Sequence, residues 1–224
     1  MTRTTQKLKI KEINRQLLLM ASLVEKQLYA SLLSLKEHDT KVTQSIIAED
    51  DKVDELQRII EEECIKFIAT EQPVAVDLRS VFTASKIVTD LERMADYAVD
   101  ICKITNKING DGAQFTELML PLWDMEEAVR EMLDLCVNAY VDKDIEGSYN
   151  ICKMDDKVDE IYKNLFADII KQIVREGGKD ESKSDLIAQL LFVAKYLERV
   201  GDHITNICEW TIYSETGEYV DLND

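Results

Sequence analysis

Two short acidic strings occur twice in this sequence, and their carboxylates have the chemistry of a metal site. The string DDKVDE begins at Asp50 and again at Asp155, 105 residues later. The pattern LERxxD runs from Leu91 to Asp96 and again from Leu197 to Asp202, 106 residues apart. Offsets this constant across half of the chain indicate an internal duplication.

Each string carries two acids four residues apart, which places both on one flank of a helix. In each repeat, the first pair and the second pair lie equally far from a predicted turn, at Pro73 or beside Gly178. Residues equidistant from the turn of an antiparallel helical hairpin lie level with each other. We therefore predict four neighbouring carboxylates per repeat. Ledge one is Asp50, Asp54, Glu92 and Asp96; ledge two is Asp155, Asp159, Glu198 and Asp202.

Like charges at this spacing destabilise a helix by a few tenths of a kcal/mol per pair. A metal ion bound by oxygen ligands would neutralise them. The alternative is a solvated acidic face with local basic partners: Asp54 can reach Arg58, and Asp159 can reach Lys163. Glu92, Asp96 and Asp100 follow one another at four-residue spacing and form a ladder along one helix face. Against the alternative, the sequence predicts no base within this ladder.

Long helices must carry these acids, because the 224 residues include only 2 Pro and 7 Gly. The pattern predicts an all-α fold, a tandem repeat of two three-helix bundles, with helices at 6–36, 41–70, 76–107, 118–142, 145–175 and 183–214. The first bundle takes residues 1–108, a linker takes 109–117 around Asn109-Gly110-Asp111-Gly112, and the second takes 118–224. Asp39 and Asp144 are predicted helix caps, and Pro73 and Gly177-Gly178 are predicted breaks.

The apolar residues of the third and sixth helices recur at alternating steps of three and four, which predicts a buried seam facing each bundle interior. In the third helix the seam is Val81, Ala84, Val88, Leu91, Ala95, Ala98 and Cys102. In the sixth it is Ile187, Leu190, Ala194, Leu197, Gly201, Ile204 and Cys208.

The formal net charge of −17 argues against binding to nucleic acid or to anionic lipid. Five cysteines without a CxxC pair indicate reduced thiols that pack as small apolar groups. The apolar run from Leu17 to Val24 is too short for a membrane span and predicts the core face of a helix. We therefore expect a cytoplasmic protein without direct membrane insertion.

The segment from Gln72 to Arg79, followed by Leu91-Glu92-Arg93-Met94-Ala95-Asp96, resembles the signature of the PhoU family. The segment from Leu197 to His203 is similar to it as well, so the likeness covers nearly the whole chain. The Asp-Leu-Arg element at Asp77–Arg79 has no counterpart near Lys183–Asp185, so its role is expected in the first bundle only.

The resemblance implies a usually dimeric pair of three-helix bundles and a negative regulator of phosphate uptake and of the phosphate-starvation response. It implies an adaptor between the ATPase subunit of the phosphate ABC transporter and a phosphate-sensing histidine kinase, with no organic cofactor. It also implies iron or zinc clusters on the eight residues of the two ledges, other divalent metals being open.

The rival class is a carboxylate-bridged metal enzyme or metal-storage helical protein. Ferritin-like sites need Glu-x-x-His pairs, and neither His38 nor His203 has Glu three residues before it. His203 is predicted to point away from ledge two, as a surface or dimer-contact residue. Trp123 and Trp210 are predicted to pack rather than to bind a ligand, and no phosphate-binding loop or nucleophile motif is present. The sequence therefore predicts no catalytic residue.

Overall fold

A computed structural model describes residues 3–108, 116–176 and 181–223, and these residues form six helices and no strand. The helices are α1 (Arg3–Glu37), α2 (Thr40–Glu71), α3 (Ala75–Lys107), α4 (Thr116–Asp142), α5 (Ile145–Glu176) and α6 (Glu181–Thr216). Helices α1 to α3 make the first bundle and α4 to α6 the second. The predicted all-α fold of two three-helix bundles is confirmed, and each helix end lies within three residues of its predicted place.

The predicted caps explain where the second helix of each bundle begins. The Asp39 carboxylate accepts hydrogen bonds from the backbone N–H groups of Lys41 and Val42, at 2.9 and 3.2 Å. Asp144 accepts one from the Gly147 N–H at 2.9 Å. Such caps satisfy N–H groups that have no partner within the helix.

The break at Pro73 is also confirmed, because α2 ends at Glu71 and Gln72 has a positive φ of 48°. The predicted break at Gly177-Gly178 and the predicted linker at Asn109-Gly110-Asp111-Gly112 lie outside the described residues.

Both predicted seams are buried along their whole length. Helix α3 also buries Ile87, Met94 and Ile101, which lie outside its seam and are fully inaccessible to solvent. The reason is that α3 packs against α1, α2 and α6, so that it has three covered faces. One hydrophobic cluster consequently runs through both bundles.

Helices α3 and α6 run antiparallel where the two bundles meet. Arg79 contacts Ser214, Asp90 contacts His203, and Tyr97 stacks on Tyr196, so residue numbers rise along one helix as they fall along the other. Because α3 and α6 are equivalent helices of the duplication, their antiparallel contact relates the bundles by a pseudo-twofold axis. A translation would have made them parallel.

Among the described helices, α1 alone is long and apolar enough to cross a membrane, by length and composition only. Half of its most apolar stretch is buried inside the protein. Its buried residues, among them Leu17, Met20 and Val24, belong to the core of the first bundle. Burial of this kind is typical of the core helix of a bundle, which is what the sequence predicted for the apolar stretch from Leu17 to Val24.

Candidate functional site

The structure brings the four carboxylates of ledge one together across the α2–α3 hairpin. The pKa of Asp50 is raised to about 6, first by burial and then by the neighbouring charges of Asp54 and Asp96. Burial also raises the pKa of Glu92, with contributions from Asp96, Asp54 and Asp50. These are mutual effects between pairs on different helices, so the predicted grouping of the two pairs is present.

Ledge two repeats this arrangement in a less solvated setting. The pKa of Asp155 is raised to about 7, first by burial and then by the charges of Asp202, Asp159 and Glu198. The pKa of Asp202 is raised first by burial and then by Glu198, with a smaller contribution from Asp159. Each member of ledge two is thus an electrostatic neighbour of at least one acid on the opposite helix.

Beside ledge two, helix α6 has a glycine where α3 has an alanine beside ledge one. Gly201 of α6 corresponds to Ala95 of α3, 106 residues earlier. A Cβ atom on Gly201 would overlap the Oδ1 atom of Asp155. Gly201 therefore lets the Asp155 carboxylate lie directly against α6, where its Oδ1 atom is buried and has no hydrogen-bond partner.

Basic side chains contact both ledges, and two expectations drawn from the sequence are wrong in detail. The ladder predicted to lack a base has Arg93, which reaches Glu92 at 3.6 Å and Asp96 at 3.1 Å. Spacing along the acidic face does not reveal Arg93, because its long guanidinium side chain reaches the acids from a neighbouring face of the helix. Lys103 pairs with Asp100 at 2.8 Å.

The expected partner of Asp54 is engaged elsewhere. Arg58 pairs with Glu55 at 2.6 Å and with Glu62 at 2.9 Å, since these acids lie on its own exposed face of α2. The expected contact of Lys163 with Asp159 is present at 3.6 Å. Glu198 pairs with Lys195. Local bases therefore offset part of the charge of each ledge.

The carboxylates of ledge two are suitable ligands for a hard cation, but their side chains do not converge on one point. Carboxylate oxygens are suitable ligands for hard and borderline metals, and the unpartnered Asp155 Oδ1 atom lacks a cation or a donor. As the side chains stand, no three acidic, His or Cys residues within the described residues converge in a metal-holding group. Binding would require side-chain rotation, which the partly exposed positions of Asp159, Glu198 and Asp202 allow.

His203 is not a free surface residue, which corrects that part of the expectation from sequence. Its Nδ1 atom lies 2.9 Å from the Asp90 carboxylate of α3, and Asn206 donates to the same oxygen at 3.3 Å. Asp90 is 9% exposed. This polar group joins the two bundles, and the sequence did not reveal it because Asp90 lies outside both repeated strings.

The Asp77–Arg79 element also joins the bundles. The Arg79 guanidinium donates to the Ser214 carbonyl at 3.2 Å, in the last turn of α6. A cation at this place complements the unpaired carbonyls and the negative end of the helix dipole. Arg79 of this element therefore has a structural role at the contact between the bundles.

Both tryptophans pack, in agreement with their prediction. Trp210 meets Phe82 of α3 edge-to-face, with ring centroids 6.0 Å apart. Trp123 meets Tyr29 of α1 at 6.3 Å, and the Lys36 ammonium lies 5.2 Å from its ring centroid.

Comparison with known proteins gives concordant results. The PhoU domain model matches twice, at residues 17–105 and 122–211. A phosphate-specific transport system accessory protein PhoU homolog of Clostridium acetobutylicum is 42% identical over 225 residues and is covered completely, as is this chain. The accessory protein PhoU of Escherichia coli K12 is 30% identical, with 93% of this chain and 84% of that protein covered.

Among solved structures, the phosphate transport system regulatory protein PhoU from Streptococcus pneumoniae matches with a TM-score of 0.86 and 30% identity. The match covers 96% of this chain and 99% of that one. The PhoU crystal structure from Pseudomonas aeruginosa also has a TM-score of 0.86, at 26% identity, with 95% and 99% covered.

Proposed function

This chain belongs to the PhoU family, and we propose on that basis that it is an accessory protein of a phosphate-specific transport system. Its role would be negative regulation of phosphate uptake and of the phosphate-starvation response. The observation that carries the proposal is the full-length match, at 42% identity, to a protein named as such an accessory protein. The PhoU domain model matches each of the two bundles.

The finer proposal is an adaptor that contacts two partners, the ATPase subunit of the phosphate transporter and a phosphate-sensing histidine kinase. Exposed apolar side chains, which mark interaction surfaces when they cluster, support it. Patch one, at the start of α3 in the first bundle, comprises Val74, Val76 and Leu78; patch two, on one face of α5 in the second bundle, comprises Phe166, Ile170 and Val174. Separate surfaces of this kind would allow one partner on each bundle.

Metal binding on the two ledges is a further part of the proposal. The eight ledge carboxylates would supply oxygen ligands to iron or zinc, and the metal would neutralise the charge that they concentrate. The support is the mutual rise in pKa within each ledge and the unpartnered oxygen of Asp155. We also propose a cytoplasmic homodimer, which follows from the family and from the transporter-side role.

A non-catalytic role is favoured over a metal enzyme. The relatives are named accessory proteins, and His203 is committed to Asp90 instead of to a ledge. Metal storage is the remaining alternative, and the stoichiometry of bound metal distinguishes it, because a regulator would hold a fixed small number of ions per chain.

The decisive experiment combines a deletion strain with affinity capture. In phosphate-rich medium, deletion should leave a reporter of the phosphate-starvation response switched on, and the intact chain should restore repression. Capture from phosphate-replete cells should recover the transporter ATPase and the kinase. Variants Val76→Asp and Ile170→Asp test patch one and patch two separately, with the surface change Glu160→Gln as the control. Normal repression in the deletion strain would contradict the regulatory role.

A further inference from the structure

The chain turns back after α6 and lies along the side of that helix. Gly217 has a positive φ of 78°, and its N–H donates to the Tyr213 carbonyl at 2.8 Å. Glycine adopts this left-handed conformation at little cost and so commonly ends a helix. Further on, the Leu222 N–H donates to the Glu209 carboxylate at 2.6 Å. Residues 217–223, which we call the strap, therefore run antiparallel to α6.

The strap lies on an aromatic surface to which both bundles contribute. This surface, the aromatic platform, consists of Phe82 of α3 with Trp210 and Tyr213 of α6, and its rings meet edge-to-face at centroid distances of 6.0 to 6.3 Å. Tyr219 of the strap stacks on Tyr213 at 4.2 Å, with 21° between the ring planes, and meets Trp210 edge-on at 5.9 Å. Contacts of this kind are favourable beyond the apolar area that they bury. Tyr219 is thus the anchor of the strap.

Two cations flank the aromatic platform, although the chain carries a formal net charge of −17. The Lys86 ammonium lies 5.5 and 5.8 Å from the centroids of two platform rings. A Cβ atom on Gly217 would lie 3.7 Å from the Arg79 guanidinium, so this second cation borders the start of the strap. The strap itself carries Glu218 and Asp221 on either side of its tyrosine. Charge complementarity at the platform therefore favours an acidic segment.

The strap is held by few contacts, and most of it faces solvent. Tyr219 is 67% exposed, and Glu218, Asp221 and Asn223 are exposed as well. A segment outside regular structure, with few buried contacts, detaches at a low cost in free energy. Its two main contacts are an aromatic ring on the platform and a backbone N–H on Glu209, and any extended chain with an aromatic residue at the right spacing can make both. The strap is therefore a replaceable occupant of the platform.

The strap is also hydrogen-bonded to the polar group that joins the two bundles. The Asn223 side-chain amide donates to Asn206 Oδ1 at 3.2 Å and to the Asp202 carbonyl at 3.3 Å. Asn206 in turn donates to the Asp90 carboxylate, which also contacts His203. A partner that replaces the strap therefore removes one of the hydrogen bonds that position Asn206 at the contact between the bundles.

We propose that the aromatic platform is a docking site for an acidic, tyrosine-containing peptide segment of a partner protein, and that the strap occupies it while the partner is absent. The partner's tyrosine stacks on Tyr213, a backbone N–H three residues later donates to Glu209, and its acidic side chains face Lys86 and Arg79. The inference rests on the contacts of the strap and is independent of the proposed regulatory function.

The test measures, by fluorescence anisotropy, how a fluorescein-labelled synthetic peptide with the sequence of residues 215–223 binds to the full chain. The strap-released variant, Tyr219→Ala with Leu222→Pro, lacks the stacking ring and the N–H that donates to Glu209. It should bind the peptide at least about 10-fold more tightly than wild type, in which the tethered strap competes at a high effective concentration. Tyr149→Ala, which removes an exposed tyrosine of α5, is the control and should bind as wild type does.

Further measurements separate recognition of the tyrosine from attraction between charges. A peptide with alanine in place of Tyr219, and the change Lys86→Glu in the strap-released variant, should each weaken binding at least about 5-fold. In wild type, which needs no substitution, millimolar unlabelled peptide should speed hydrogen exchange at the Leu222 amide. Circular dichroism checks that each variant is folded. The proposal is overturned if wild type and the strap-released variant bind equally, if neither binds, if the alanine peptide binds as the tyrosine peptide does, or if exchange at Leu222 is unchanged.

Discussion

Replacing Asp155 by Asn should stabilise the metal-free protein at neutral and alkaline pH. Asp155 has a pKa of about 7 in the folded chain, against 3.8 for a free carboxyl group, chiefly because it is buried. The folded state therefore disfavours the charged form. Below about pH 4, Asp155 is protonated in both the folded and the unfolded state and does not lower the free energy of unfolding. The destabilisation grows as the pH rises and is complete once the pH has passed about 7.

The magnitude follows from that shift. Three pKa units correspond to about 4 kcal/mol as a ceiling, and partial exposure of Asp155 with solvent screening reduces this to about 2 kcal/mol. For a chain of this size, 2 kcal/mol raises the Tm by about 4–8 °C. The matched change Asp50→Asn should give less, about 1.5 kcal/mol after the same discount, because the pKa of Asp50 is raised only to about 6.

Thermal and denaturant unfolding between pH 4.5 and 8, with a chelator present, measures both effects. The gain for Asp155→Asn over wild type should grow with pH and level off near pH 8. The exposed Glu160→Gln on the same helix should change stability by less than about 0.5 kcal/mol at every pH. A gain that is independent of pH, or a loss at pH 8, refutes the reasoning. Divalent metal should then stabilise wild type more than Asp155→Asn.

Three further outcomes are expected. Gly201→Ala should destabilise by about 1–3 kcal/mol in thermal melts, because its Cβ overlaps Asp155 Oδ1; Gly201→Ala combined with Asp155→Ala should recover most of the loss. Arg79→Met should lower stability by about 1 kcal/mol, through the lost hydrogen bond to the end of α6, with no effect on metal binding. Changing Glu92 and Asp96 to Gln and Asn should abolish metal binding by ledge one and leave that of ledge two intact in calorimetric titration; equal titrations for wild type and variant would favour solvated acidic faces.

The sequence contained most of what determines each bundle. Caps, breaks and seam residues act through neighbours close in the chain, so Asp39, Asp144 and Pro73 could be interpreted without a structure. The level placement of the two acid pairs in each ledge followed from antiparallel geometry and the duplication. The ion pairs were harder to predict. Arg58 can reach several acids on α2, and spacing alone does not select Glu55 and Glu62 over Asp54.

The contact between the bundles was beyond the sequence pattern for a physical reason. Duplication implies that α3 and α6 are alike, but the contact depends on how they differ. Asp90 has Tyr196 as its counterpart, and Tyr97 has His203. The apolar periodicity assigns these four residues to the flanks of their helices, but it does not indicate which of them contact each other.

These differences give the interface one preferred register. Asp90 is buried against His203, and Tyr97 stacks on Tyr196 with ring centroids 5.5 Å apart. Sliding α6 by one turn would leave the Asp90 carboxylate buried without a partner, which is strongly unfavourable. A change of Asp90 to Leu should therefore loosen the arrangement of the bundles while each keeps its own core. Because ledge one takes two of its acids from α3 and ledge two takes two from α6, this register also fixes the distance between the two candidate metal sites.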